Sequence, residues 1–175
     1  MNTFILRWNP NISSYKMQEH LDMIPHIRKM EFPFHFDWSI YDWHKAKDGD
    51  MVILLQVGTD NDGIAMVGKI IGEPVADDSW RKDGSKVHYI NITIFDAFNP
   101  AEQKEFRAEN FESDFAKIQW HKGHSGELID KATASRLFDK MIPIIQGTGD
   151  MQCDLLKIFM KYGWDIPFVD EVEDS

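Results

Sequence analysis

The chain of 175 residues is 43% hydrophobic and 27% charged, the range of an ordinary globular protein with one well-buried core. Its formal net charge is −10, which argues against a broad, sequence-independent grip on nucleic acid, because Lys and Arg supply most of that affinity by neutralising phosphates. Part of the acidity lies in residues 166–175. We interpret these as a solvated acidic tail that follows a single domain at residues 1–165.

The cysteine content and the N-terminal segment bear on the compartment. Cys153 is the single cysteine of the sequence, so no intramolecular disulfide and no paired-cysteine metal site can form, and a reducing compartment is expected. The N-terminal segment is apolar for only a few residues before Arg7, which is too short for a signal-peptide core or a membrane span. The sequence therefore predicts a soluble, cytoplasmic protein without a membrane partner.

The predicted elements begin with a strand at residues 3–8, which ends near Pro10 because proline removes a hydrogen-bond donor from the ladder. A helix follows, with Ser13 or Ser14 as its cap and Pro25 as its stop. A strand followed directly by a helix therefore opens the fold.

Three further strands are predicted in the middle of the chain, at residues 51–57, 64–71 and 87–95. The first two flank a Thr-Asp-Asn-Asp-Gly turn with strong hairpin chemistry, and the third alternates apolar and polar residues. If this register is right, one set of apolar side chains on these strands is buried. The set is Val52, Leu54, Val67, Ile70, Ile92 and Ile94.

The C-terminal part is predicted to hold a short last strand at residues 117–120 and helices at 130–141 and 150–162. Pro143 closes the first of these helices, and Gly163 is a C-cap for the second. Because strands and helices do not alternate along the chain, a doubly wound nucleotide-binding fold is disfavoured. The order favours a small α+β domain whose five or six twisted strands close into a barrel.

The polar segment at residues 36–43 carries Trp38 and Trp43 just before a strand, and it is the most informative part of the sequence. An indole offers a flat π-face and one N–H donor, so indoles outside a regular element suit the stacking of a planar or cationic group. The alternative is a small local core beneath a loop, since aromatic residues are usually packing residues. The segment by itself is compatible with both interpretations.

Several short motifs, taken in their order, resemble the EVE and YTH branch of the PUA-like superfamily. They are FILRWNP at residues 4–10, the helix, the tryptophan segment, DGDMVI at 48–53 and GIAMVGKIIGEP at 63–74. The resemblance covers residues 3–140. It implies a five- to six-stranded, mostly antiparallel β-barrel flanked by helices, which binds a modified nucleobase of DNA or RNA in an aromatic pocket.

The resemblance also implies particular site residues. Trp38 and Ser39 match the place of the first wall of the base-binding cage, and Trp80 falls in the loop that supplies a second wall. Asn9 and Pro10 resemble a polar site at a strand end that helps to line the pocket.

The chemistry of the aromatic segment fits base binding independently of the resemblance. A flipped base costs a few kcal/mol of unstacking, and an aromatic face returns about 1–3 kcal/mol. Trp43 is an alternative to Trp38, with one indole forming the wall and the other packing. Because the protein is acidic, contacts to phosphates are expected to be weak, and a partner domain or subunit would supply the rest. The candidate phosphate contacts are Arg7, Lys45, Arg81 and Lys122.

The segment after Trp120 allows several interpretations. His121 and His124 offer two imidazoles, but a third metal ligand at a diagnostic spacing is not apparent, so an exposed glycine turn whose Lys122 and His124 touch phosphate is the alternative. Trp120 and Ser125 are candidate ligand contacts at a strand-turn-helix junction. Ser125 either caps the following helix or directs its hydroxyl towards a ligand.

The sequence contains no Gly-x-Ser-x-Gly elbow and no phosphate-cradling motif, and Cys153 is expected to be a buried, inert thiol. No enzyme activity, cofactor or metal is therefore predicted. The predicted function is a non-catalytic module that reads a modified or flipped nucleobase through a tryptophan-lined pocket. The alternative is a protein-interaction or regulatory domain on the same scaffold with no nucleic-acid ligand.

Overall fold

The structure is a computed structural model that describes residues 1–29, 35–78 and 84–147. Three short 3-10 turns lie at Trp43–Lys45, Lys104–Phe106 and Ala108–Asn110. The predicted helix at 150–162 and the acidic tail lie outside the described residues. The strands and helices are, in chain order, β1 (Thr3–Trp8), α1 (Met17–Arg28), β2 (His35–Ser39), β3 (Met51–Gln56), β4 (Gly63–Asp78), β5 (Lys86–Ala97), β6 (Glu127–Ile129) and α2 (Lys131–Gly147).

The six strands form one curled mixed sheet in the order β2-β5-β4-β3-β1-β6, and together with the two helices they confirm the predicted α+β class. β1 and β3 are parallel, and the other neighbouring pairs are antiparallel. Within the described residues no ladder joins the two edge strands, β2 and β6. Two backbone hydrogen bonds join the residues that follow β2 to those that precede β6. Tyr41 N–H donates to the Ser125 carbonyl (2.8 Å), and Asp42 N–H donates to the Gly126 carbonyl (3.0 Å). We call this junction the seam.

Both faces of the central strands are buried, which explains why β3 is a continuous apolar run. Met51, Ile53 and Leu55 pack with α2 and with residues 98–120 in one core. Val52 and Leu54 point to the other face, where they pack with α1. The six side chains that the sequence predicted to be buried are 0–6% exposed, so their predicted burial is confirmed.

Two prolines lie inside helices, so the prediction that each of them ends a helix was wrong. Pro25 lies within α1 and Pro143 within α2. Continuing α1 beyond Pro25 buries Ile27, which is 2% exposed, and this burial offsets the missing hydrogen bond. α1 also begins later than predicted, since Lys16 is its N-cap residue and donates its N–H to the Glu19 carboxylate (3.2 Å).

Two strand assignments also differ from the prediction. Residues 117–120 form a turn and bends rather than a strand, and the last described strand is β6, which pairs with β1. Trp38 lies on strand β2 rather than in a loop. Because β2 is an edge strand whose outward positions are polar, its five residues resemble a loop in sequence. No described helix has the length and apolar character needed to cross a membrane.

Candidate functional site

A cleft of about 530 Å³ opens beside the seam, at the carboxyl end of β1. The end of β1, the residues before α1, strand β2 and the loop that precedes β6 form most of it, and Glu19, Val57 and Tyr89 complete the lining. Its volume falls within the range of small-molecule pockets, so one nucleobase-sized group can enter. The lining includes Trp8, Asn9, Tyr15, Phe36, Trp38, Ser39, Lys122 and Ser125.

Three half-buried aromatic rings shape one wall of the cleft. The Tyr15 and Phe36 rings are stacked, with centroids 5.5 Å apart and planes at 16°. The Trp38 indole stands nearly perpendicular to both, 6.0 Å from Tyr15 at 89° and 5.6 Å from Phe36 at 80°. Phe36 and Trp38 lie two residues apart on β2 and so share one face of the sheet. The wall therefore presents flat π-surfaces in two orientations.

Ser125 joins the aromatic wall to β1. Its hydroxyl oxygen accepts hydrogen bonds from Trp38 Nε1 (2.9 Å) and from the backbone N–H of Arg7 (3.1 Å). A serine hydroxyl has two lone pairs and one hydrogen. Both lone pairs are therefore used, and none of the described residues accepts the remaining hydrogen. It follows that the Trp38 N–H is not available to a ligand, whereas the Ser125 O–H can donate into the cleft.

Arg7 is part of the scaffold, which corrects its predicted role as a phosphate contact. Its side chain is almost fully buried and donates to the carbonyls of Gln119 (3.1 and 3.0 Å) and His124, and it forms an ion pair with Glu127. Burial lowers the pKa of Arg7, and Glu127 opposes that change. With its donors used in this way, the guanidinium holds the loop that carries Ser125 and offers no free charge to a ligand.

Tyr15 is held in place by His20, which is fully buried. His20 Nε2 lies 2.7 Å from the Phe98 carbonyl, and Nδ1 lies 2.8 Å from the Tyr15 hydroxyl. A carbonyl only accepts, so in the neutral ring Nε2 carries the hydrogen and Nδ1 accepts the Tyr15 O–H. Burial lowers the pKa of His20 and raises the pKa of Tyr15, so both groups stay neutral. The hydroxyl is thereby occupied, and the ring is fixed in the wall of the cleft.

The charges that line the cleft have both signs. Glu19 and Asp37 supply carboxylates, and Lys122 supplies an ammonium group on the opposite loop. Lys122 is exposed, and within the described part of the chain no ion pair involves it. It is therefore the cationic side chain of the cleft that can reach a phosphate.

His121, at the edge of the cleft, is held between two carboxylates. Its Nδ1 lies 2.7 Å from the Asp62 carboxylate, and its Nε2 bonds Glu112. These hydrogen bonds raise the pKa of His121. Residues 1–29, 35–78 and 84–147 contain no group of three or more His, Cys, Asp or Glu side chains placed to share a metal ion. The contacts of His121 instead connect the loop that precedes β6 to Asp62, in the turn after β3, and to Glu112.

The structure brings six of the predicted site residues together in the cleft: Arg7, Asn9, Trp38, Ser39, Lys122 and Ser125. Tyr15 and Phe36 were missed by sequence reasoning. The alternation of Phe36 with Trp38 was an available signal for Phe36, whereas nothing local marks Tyr15.

The other predicted site residues lie elsewhere. Pro10 is half-buried in the turn after β1 and does not line the cleft. Trp43 lies outside the cleft and stacks on His88, and Lys45 is exposed in the same turn. Trp120 is 4% exposed, packs on Phe111 and donates its N–H to the Phe115 carbonyl (3.1 Å), so it is a core residue. Two predicted contacts lie outside the described residues: Trp80 and Arg81.

Taken together, the described residues form an α+β fold with a six-stranded mixed sheet and an aromatic cleft at the seam. Its fold is similar to that of the YTH domain-containing protein mmi1, solved as an RNA complex, with 15% identity, a TM-score of 0.48 and coverage of 85% of this chain and 86% of that chain. It is also similar to human THYN1 in complex with 5-methylcytosine containing DNA, with 11% identity, a TM-score of 0.48 and coverage of 79% and 96%.

A third similar structure is protein PSPTO5229 from Pseudomonas syringae, with 13% identity, a TM-score of 0.45 and coverage of 78% of this chain and 97% of that chain. The chain matches no family model and no curated protein sequence. At these identities and TM-scores the similarity concerns the path of the chain alone. The chemistry of the cleft therefore has to be argued from its own residues.

Proposed function

We propose that the protein is a non-catalytic nucleic-acid-binding module that receives one modified or flipped nucleobase in the cleft. The supporting observation is that the aromatic wall of Tyr15, Phe36 and Trp38 lies beside a hydroxyl, on Ser125, whose hydrogen has no partner among the described residues. A nucleobase is flat and carries hydrogen-bond acceptors on its edge. It therefore matches both features at once.

In this proposal each residue of the cleft has a distinct role. Trp38 provides a stacking face, worth about 1–3 kcal/mol for a base, and Trp80 is kept as the predicted second wall. Ser125 donates to a ring nitrogen or carbonyl oxygen of the base. Asn9 accepts the Asn11 N–H with its side-chain oxygen (3.0 Å), which leaves its amide hydrogens for the base edge. Lys122 contacts the adjoining phosphate.

The same proposal includes closure of the sheet into a barrel at the seam. The two hydrogen bonds from Tyr41 and Asp42 to residues 125–126 support it, as does a third from Leu128 N–H to the Asp42 carboxylate (2.8 Å). A closed barrel would keep Trp38 and Ser125 in a fixed relation, so that the cleft is formed before the ligand arrives.

Titration of the protein with single-stranded DNA and RNA oligonucleotides that carry plain or methylated bases tests the proposal, with tryptophan fluorescence as the signal. Trp38→Ala should weaken binding by about 1–3 kcal/mol through lost stacking, and Trp38→Phe should retain part of the affinity because it keeps a ring. Ser113→Ala, in an exposed turn away from the cleft, is the control for handling and folding. If no oligonucleotide quenches the fluorescence at low salt and Trp38→Ala mainly lowers the melting temperature, the tryptophan is structural and the proposal is wrong.

A second candidate is a protein-interaction domain that binds a cationic side chain, such as methylated lysine, with no nucleic-acid ligand. It is favoured by Glu19 and Asp37, two acidic residues among those that line the cleft. Asp37→Asn separates the candidates. Loss of one negative charge should weaken binding of a trimethyllysine peptide, whereas binding of an oligonucleotide should be unchanged or stronger because repulsion of phosphate is reduced.

A further inference from the structure

Two pairs of stacked rings lie on the surface next to the cleft, and the proposed base site does not use them. Tyr41 stacks on His124, with centroids 4.5 Å apart and planes at 12°. Trp43 stacks on His88, at 3.7 Å and 6°. Tyr41 is 61% exposed and Trp43 is 42% exposed, although each has one face covered by its histidine. A large part of each ring-bearing side chain is therefore accessible, and Trp43 also meets the His44 ring at 5.7 Å and 80°. We call these pairs the aromatic platforms.

The first platform borders the cleft directly. His124 lies between Gly123 and Ser125, which both line the cleft. The backbone N–H of Tyr41 donates to the carbonyl of Ser125, the residue whose hydroxyl holds Trp38. A ligand that leaves the cleft on this side therefore meets the ring of Tyr41 next.

The second platform continues the same row of residues as the cleft wall. On β5, Ile90 pairs with Trp38, and His88 lies two residues further along the same face of the strand, at a spacing of about 7 Å. His88 carries Trp43. The aromatic wall on β2 and the second platform on β5 thus lie next to each other on one face of the sheet.

The turn that carries the platforms holds two lysines. Between Asp42 and Asp48 the chain holds His44, Lys45 and Lys47 and no acidic residue. Asp42 and Asp48 flank this stretch and keep their negative charges, and they accept the Leu128 N–H (2.8 Å) and the Gly72 N–H (2.7 Å). Within the described part of the chain, no ion pair involves either lysine. Positive charge is therefore available beside the exposed rings.

Tyr41 is also held by close backbone packing. Gly126 has φ of +86°, and a Cβ atom there would lie 2.5 Å from the Ile40 side chain and 2.8 Å from the backbone nitrogen of Tyr41. Because the two segments approach this closely, the backbone of Tyr41 is anchored before any ligand binds, and stacking on His124 orders its ring. A pre-ordered ring loses less conformational entropy when a ligand stacks on it.

We propose that the aromatic platforms bind the nucleotides that flank the base in the cleft, so that the ligand is a segment of single-stranded nucleic acid rather than a free nucleoside or a duplex. The inference rests on the proposed function and deepens it. Only unpaired bases offer their faces to protein rings, and the neighbouring lysines match a phosphate backbone. Rings and lysines side by side suit a ligand that alternates flat bases with phosphates.

The test compares ligands of different length on the full chain. A single-stranded oligonucleotide of about ten nucleotides should bind more tightly than the corresponding mononucleoside and than the matched duplex. Tyr41→Ala and Trp43→Ala should each weaken oligonucleotide binding by about 5- to 100-fold and leave mononucleoside binding unchanged. Trp43→Phe, which keeps a ring, should restore part of the affinity. Val75→Ala, at a side chain that is 63% exposed on β4, is the control and should change neither.

The outcomes separate this inference from the proposed function. If both ring variants bind the oligonucleotide like the wild type, or if inorganic polyphosphate competes as well as the oligonucleotide does, the platforms bind no bases and the inference is overturned. If Trp38→Ala binds the oligonucleotide normally while the ring variants do not, the platforms stand and the cleft is not a base site. If Trp38→Ala abolishes binding of every ligand and the ring variants have no effect, the cleft binds the ligand without the platforms and the inference is overturned.

Discussion

Strands β2 and β3 have similar lengths, but their surroundings are opposite. Every side chain of β3 is buried, whereas every side chain of β2 is at least partly exposed. β3 has a neighbouring strand on each side and a core on each face, while β2 is an edge that, among the described strands, pairs with β5 alone. Trp38 on β2 is therefore packed on one side and open to the cleft on the other. In this molecule the candidate binding surface lies where the sheet ends.

The comparison predicts that substitutions in β3 affect stability and leave the cleft intact. Ile53 is fully buried in the core on the α2 side, away from the cleft. Ile53→Ala should lower the free energy of unfolding by about 2–5 kcal/mol, from lost burial and the cavity that remains. Urea denaturation measures the change, with Val75→Ala as a control expected within about 0.5 kcal/mol of the wild type. A loss below about 1 kcal/mol would mean that this core is loosely packed.

The seam should respond in both stability and ligand binding. Gly126→Ala combines a positive φ with a Cβ atom that would lie 2.5 Å from Ile40, so it should cost at least about 1–3 kcal/mol and weaken ligand binding at the cleft. Gly72→Ala is a matched control, because φ is +73° there but nothing lies within 4 Å. The stability loss of Gly126→Ala minus that of Gly72→Ala measures the cost of the close backbone approach at the seam. Equal losses would show that only backbone strain matters.

Much of the centre of the fold could be predicted from the sequence, whereas the edges could not. The strands at residues 51–57 and 64–71 are marked by continuous apolar residues and by turn chemistry, both of which are local signals. β2 mixes aromatic and polar residues, so the same rules read it as a loop. The sequence predicted helix ends at Pro25 and Pro143, but both helices continue past these residues. Burial of neighbouring side chains favours the longer helices, and this is a tertiary effect that local rules do not include.

The site was predictable to the extent that it depends on residue type. Trp38 and Trp120 were both candidate site residues. Their different roles are determined by the residues that each one contacts, and the sequence does not show those contacts. Trp38 bonds a serine 87 residues away at the seam, while Trp120 packs on Phe111 in a core. The role of Arg7 likewise depends on carbonyls more than a hundred residues further along the chain. Composition alone carries none of this information.

A pH titration links the core to the cleft through His20. Burial lowers the pKa of His20 below the ordinary value of about 6.5, so below that pH the unfolded chain binds a proton that the folded protein does not. Stability should therefore fall as the pH decreases from about 6.5 towards the folded-state pKa, by at most about 1.4 kcal/mol per pH unit from this group. His121, whose pKa is raised, acts in the opposite direction, since its contribution is complete below about 6.5 and is lost at higher pH.

The His20 contribution is isolated by comparing the pH dependence of unfolding in the wild type and in His20→Gln. The glutamine retains a side-chain donor near the Phe98 carbonyl but cannot titrate in this range. The variant should show a shallower loss of stability between about pH 6.5 and pH 5. If the free energy of unfolding changes with pH equally in both proteins, His20 does not cause this pH dependence. The claim that a neutral His20 holds Tyr15 in place would then be wrong.

The smallest effect is expected at Lys122, the exposed cationic side chain of the cleft. If it contacts one phosphate, Lys122→Gln should weaken oligonucleotide binding modestly for every base sequence and lower the slope of log K against log salt by about 1. It should leave stability unchanged, because the side chain is exposed and forms no ion pair with the described residues. Lys104→Gln, on a 3-10 turn that does not line the cleft, should leave the slope as it is in the wild type. Equal slopes for all three proteins would place the phosphate elsewhere. A change confined to one base identity would instead mean that Lys122 contacts the base itself, and the cleft would then select bases through charge as well as through stacking.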